Sequence, residues 1–166
     1  MLPLTRRAAL ALPALLPSAA LASSWRPARP MRIVVPAPPG GITDIGGRIV
    51  AAQLQAAWGQ PVVVENRSGG GGVTGTVEFL RAAPDGHTLL VGNIGPQAIG
   101  YTLFRELPYA PTAFAPVSGL IRGPNVLVVH PSVPATTVAE FIALLKTRPR
   151  ELNYASSGIG QSPHLS

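Results

Sequence analysis

The chain has 166 residues, no cysteine, and thirteen basic against seven acidic side chains, a formal charge of +6. That length suits one domain with a self-sufficient hydrophobic core. The missing cysteines exclude disulfides, thiolate metal sites and a cysteine nucleophile. The arginines past residue 22 are scattered and have few aromatics beside them, which disfavours nucleic acid as a partner.

Taken in chain order, residues 1–22 read as a secretory signal peptide. Arg6 and Arg7 precede an apolar stretch over 8–16, and Ala20-Leu21-Ala22 supplies a small-residue cleavage pattern. Interrupted by Pro13 and Pro17, the stretch is too short to span a bilayer. The arginine pair is also compatible with a twin-arginine signal, so the Sec and twin-arginine routes both stay open. Cleavage would leave eleven basic against seven acidic residues, a net charge of +4.

After a polar, proline-bearing lead-in over 23–30, short apolar runs alternate with helical patterns. Strands are predicted at 32–35, 61–65, 88–92, 114–121, 126–130 and 152–155, mostly Val/Ile/Leu runs of the kind buried on both faces. Helices are predicted at 44–58, 73–83, 96–104 and 138–147. The first would bury a stripe of Ile45, Ile49, Ala52 and Ala56 and end at Gly59, and the last opens on the capping box Thr137 to Glu140. Pro84-Asp85-Gly86 marks a turn into the third strand.

This β-α-β-α rhythm implies an α/β fold with parallel strands and right-handed crossovers, in which ligands collect at the carboxyl ends of the strands. Four loops fall there, at 36–43, 66–72, 93–97 and 156–162. They are rich in Gly, Ser, Asn or Thr, and among them only Arg67 is cationic. The first, Pro36-Ala37-Pro38-Pro39-Gly40-Gly41-Ile42-Thr43-Asp44, runs straight into a helix whose first N–H groups lack internal partners, so it is suited to an anion such as a carboxylate. Backbone amides, hydroxyls and water would do most of the binding.

Other chemistries can be weighed on the same residues. Each glycine loop has a plain reading as turn geometry. Asp44 suits the positive end of a helix dipole, with recognition of a substrate amino group as the sharper alternative. Gly70, Gly72 and Gly75 match G-x-G-x-x-G, so an exported dinucleotide-binding oxidoreductase using Gly70 to Gly75 is the enzymatic alternative. Against it, the glycines begin four residues after the strand, and no strand ends in an acidic residue about 20 positions later. The serine at Gly160-Gln161-Ser162-Pro163-His164 lacks a nucleophile elbow's closing glycine and is followed by proline. His87, His130 and His164 lack paired carboxylates at metal-ligand spacing.

Several ordered motifs point to one family: 31–36 (MRIVVP), 38–44 (PPGGITD), 59–72 (GQPVVVENRSGGGG), 83–93 (APDGHTLLVGN), 107–117 (LPYAPTAFAPV) and 152–165 (LNYASSGIGQSPHL). Across residues 30–166 the chain resembles the substrate-binding proteins of tripartite tricarboxylate transporters, the Bug family. That resemblance implies a periplasmic receptor of the type II periplasmic-binding-protein fold, monomeric, with two α/β lobes closing on a small carboxylate. It implies delivery to membrane permease subunits, and neither cofactor nor chemistry on the ligand. The ligand residues carried over are Pro39, Gly40, Gly41, Thr43 and Asp44 on one side, and Ser156, Ser157, Gly158, Gln161, Ser162 and His164 on the other. Asn93 would lie on the floor.

Family members run to roughly twice the expected mature length. The resemblance therefore implies an N-terminal portion, with the first part of lobe one over 23–122 and a truncated second lobe beginning over 123–166. Ile42 and Gln161 stand where smaller or hydroxyl-bearing residues are common, which would alter pocket size.

Overall fold

A computed structural model describes residues 25–166, so the leader expected over 1–22 lies outside the described residues. The molecule is organised around β1 (Met31–Val35), which pairs in parallel with β2 (Val62–Asn66) on one edge and β3 (Thr88–Leu90) on the other. The resulting order, β2-β1-β3, means that the chain leaves β1 to one side and crosses back over it to reach the other. All three carboxyl ends consequently open on the same edge.

Burial of β1 explains its composition. Ile33, Val34 and Val35 are fully buried, because α1 (Ile42–Trp58) covers one face of the sheet and α2 (Val73–Leu80) the other. Enclosed on both faces, the Ile33–Val35 part has no position for a polar residue, hence its unbroken β-branched run, while Arg32 near the start is half-buried and paired with Glu65 and Glu78. Ile33 and Val35 pack with Ala51 and Val91, flanked by Val50, Leu54, Val62, Val64 and Leu89.

The face of α1 that meets the sheet differs from the expected stripe. Ile45 and Ile49 are exposed, as are Ala52 and Ala56, whereas Asp44, Gly46, Gly47 and Ala51 are buried. Close approach is the reason: a Cβ on Gly47 would lie 3.1 Å from a methyl of Val35 and 3.3 Å from one of Val91. The helix crosses β1 most closely at small residues, with Val50 and Leu54 flanking the contact, and Ile45 and Ile49 are rotated outward.

Helix termini follow local chemistry closely. Gly59 ends α1 in the left-handed conformation (φ 69°), its N–H donating to the Gln55 carbonyl. The capping box is present on α4 (Val138–Thr147): Thr137 Oγ1 accepts from the Glu140 N–H, and Glu140 Oε2 accepts from the Thr137 N–H. The helix predicted over 96–104 divides into a wide turn at Gly95–Ile99 and a short α3 (Gly100–Leu103). α2 stops at Leu80, and α5 (Ser162–Leu165) follows Gln161. The lead-in is pinned by Trp25, which packs edge-on against Trp58 and His87.

The strands expected at 114–121, 126–130 and 152–155 are not formed, and among the described residues the sheet has three strands. An apolar run becomes a strand only when a neighbouring backbone completes its ladder. Here no described strand pairs with these runs, and Val117 is 89% exposed and Val128 81%. Their composition carries β-propensity without a partner to realise it.

The difference between the buried and the outward isoleucines can be measured. Ile33→Ala should destabilise the fold by about 3 kcal/mol through the cavity it leaves. Ile49→Ala should change stability by no more than about 0.5 kcal/mol. Urea midpoints at constant m-value report both, and comparable losses would contradict the assigned helix face.

Candidate functional site

At the carboxyl end of β1 the chain turns at Pro36, which is buried, into the exposed segment Pro38 to Ile42. Loops after β2 and β3 stand on either side of it. Against them packs the segment 157–161, 90 positions beyond the glycine turn it meets, and together with the loops after β1 and β2 it leaves an open cavity of about 390 Å³. Its walls are Pro36 to Pro38, Ser68 to Gly72, Phe104, Ser157 to Ile159 and Gln161. None of these described lining residues is charged.

The glycines of the turn after β2 are explained by contact. A Cβ on Gly72 would sit 3.1 Å from the Pro36 carbonyl oxygen and 2.8 Å from the Pro96 ring, and one on Gly71 would strike the Ile159 carbonyl. Gly75, on α2, would bring a Cβ to 2.5 Å from the Arg67 carbonyl oxygen. Dense packing of loops on helix thus accounts for two of the three positions that had suggested a dinucleotide fingerprint, Gly72 and Gly75, whereas Gly70 has room for a Cβ.

Asp44 organises the first loop. It is the third residue of α1 and 3% exposed, and its carboxylate reaches back to accept the Gly40 N–H at 2.8 Å. Arg48 donates to the same oxygen from Nε at 3.1 Å, its Nη2 lies 3.0 Å from the other oxygen as an ion pair, and Nη2 donates to Asn66 Oδ1 at 3.1 Å. Asn66, at the end of β2, donates to Asp44 Oδ1 at 3.0 Å and to the Ala37 carbonyl at 3.1 Å. Both carboxylate oxygens are thereby engaged by this chain's own donors. The Arg48 bond first, then the Gly40 N–H and Asn66, hold the Asp44 carboxyl down to about 2, outweighing its desolvation.

The remaining predicted residues separate into two groups. Ser157, Gly158 and Gln161 are brought to the cavity. Pro39, Gly40 and Gly41, in the turn that Asp44 anchors, and Thr43, in the first turn of α1, lie outside its walls. Asn93 is half-buried and closes its own loop, its Oδ1 accepting the Gly95 N–H at 2.9 Å. Ser156 Oγ accepts the Gly158 N–H at 3.4 Å, and Ser162 donates to Asn125 at 3.3 Å. His164 Nδ1 accepts the Gly160 N–H, and its ring stacks on Tyr154. Arg67, the cation of the four loops, is turned away onto Glu65 at 3.0 Å and Glu78 at 3.1 Å.

Phe104 and Ser68 also line the cavity. No local pattern singles them out: Phe104 ends an apolar helical stretch and becomes a wall only because 158–160 folds onto it, a Cβ on Gly160 lying 3.4 Å from its ring.

Because Asp44 ionises below its ordinary 3.8, the folded state binds fewer protons than the unfolded one between about 4 and 2. Its stabilising contribution is complete above that window and is lost as pH falls through it. Asp44→Asn should therefore lower the melting temperature at pH 7 and flatten the acid limb of the stability profile. An unchanged acid limb would show that the Gly40 and Arg48 bonds do not form in solution.

A family description, Tripartite tricarboxylate transporter family receptor, matches residues 47–166. Protein BugT of Bordetella pertussis is 41% identical over 150 residues, covering 89% of this chain and 46% of BugT. A structure of an R. palustris protein with adipate superposes at TM-score 0.76 and 38% identity, covering 81% of this chain and 46% of that one. MatC from Rhodopseudomonas palustris with bound malate gives TM-score 0.76 and 36% identity, covering 82% and 47%. The chain spans less than half the length of the curated relatives it matches.

Proposed function

The chain belongs to the tripartite tricarboxylate transporter receptor family, and from that premise we propose that it is an exported, periplasmic receptor that binds a small mono- or dicarboxylate and delivers it to the transporter's membrane permease subunits. On this reading residues 1–22 direct export, 23–122 contribute to the first lobe of a clamshell, and 123–166 begin the second. The receptor acts as a monomer and leaves its ligand chemically unchanged. The relatives solved with adipate and malate favour the carboxylate class.

One observation carries the proposal: the cavity at the strand ends is walled by glycine and serine turns without a charged side chain. A carboxylate bound there is recognised by oriented N–H and O–H groups, with shape rather than a cation setting selectivity. Ser68 and Ser157 are the hydroxyls available. The same walls contain no histidine, lysine or carboxylate to activate a serine, which supports binding over catalysis. Among the described residues no helix is long and apolar enough to cross a membrane.

A thermal melt in the presence of millimolar malate or adipate tests the reading. A compound that binds only the folded state raises the midpoint by mass action, about 2.7 kcal/mol at a hundredfold excess over Kd. The expected result is a rise with one of these carboxylates and none with its diamide or with NADH. Equal rises with acid and diamide would defeat carboxylate recognition, and a rise with NADH alone would favour the dinucleotide alternative.

A further inference from the structure

We infer that Gln161 determines the chain length of the carboxylate that this cavity accepts, an inference that rests on the receptor reading above. Gln161 is a polar side chain only 9% exposed, and it forms part of the cavity wall. Its Nε2 donates to the Gly71 carbonyl at 2.6 Å, joining the 157–161 segment to the turn after β2. Its amide also lies flat against Gly95 in the loop after β3: a Cβ there would be 2.7 Å from Oε1 and 2.8 Å from Cδ. The side chain therefore fills the space between two loops that flank the end of β1.

Three features make this a filled subsite rather than ordinary packing. Gly95 is buried, and its lack of a side chain is what admits the amide. Acceptance by the Gly71 oxygen fixes the amide's orientation, since the reverse would set two oxygens against each other. Finally, the volume that Gln161 occupies is continuous with the cavity, so a shorter side chain would return that volume to a ligand. A serine retains a hydroxyl but has three fewer heavy atoms, which is comparable to the extra methylenes that separate one linear dicarboxylate from a longer homologue. One methylene in a fitted pocket changes affinity by about tenfold or more.

The test titrates linear dicarboxylates of increasing length, malonate through adipate, into the native chain, Gln161→Ser, Gln161→Ala and Gln161→Met. Methionine keeps the bulk but cannot donate to Gly71. The native chain and Gln161→Met should share one length optimum, while the two short variants shift it to longer acids, changing the long-to-short affinity ratio by about tenfold. Cooperative melting of Gln161→Met and of either short variant is enough to read the comparison. An unchanged optimum in the short variants would overturn the inference while leaving the receptor reading intact. Gln161→Met behaving like Gln161→Ser would also overturn it, by showing that donation to Gly71 matters rather than volume. If the native chain bound none of the series, the receptor reading and the inference would fall together.

Discussion

Parallel pairing of β1 on both of its edges is the constraint from which the ligand end of the molecule follows. Because β2 and β3 flank the same strand, the loops leaving all three are brought together, at the point where the strand order reverses direction. That arrangement requires β1 to be enclosed by helices on both faces, which in turn requires Gly47 where α1 crosses Val35. Small residues in the helix and β-branched residues in the strand are two halves of one packing solution. The position of the cavity is a consequence of it.

Charge is handled at this end by internal neutralisation. Asp44 meets Arg48, Asn66 and the Gly40 N–H, while Arg67 and Arg32 share Glu65 and Glu78. These groups shape the loops and leave the cavity wall to neutral donors. The separation has a physical benefit for a receptor. A ligand held by dipoles that the fold has already oriented does not have to break an existing ion pair, and the donors need little rearrangement when it arrives. Gly71 and Gly72 serve the same end, allowing loop backbones to approach one another more closely than any side chain would permit.

Much of this was legible from local chemistry. The three strands of the sheet, the end of α1 at Gly59 and the Thr137 to Glu140 capping box depend on neighbours within a few residues, so composition and spacing reveal them. The family resemblance holds, and the α/β fold agrees with solved periplasmic binding proteins. The buried face of α1 was misread because hydrophobicity favoured Ile45 and Ile49, whereas proximity to β1 selected glycine and alanine. The runs 114–121, 126–130 and 152–155 have strand composition, but pairing depends on a partner that composition does not report. Phe104 and the Gln161 to Gly71 bond depend on chain segments tens of residues apart, beyond the reach of any periodicity.

On the proposed reading, uncharged turns at the strand ends recognise a carboxylate. Backbone amide chemical shifts, followed by nuclear magnetic resonance as malate or adipate is added, test it most directly. Saturable shifts are expected over 68–72 and 157–161, with α4 (Val138–Thr147) unmoved. Shifts centred on α4 or on the exposed 114–130 stretch, with the glycine turns silent, would contradict it.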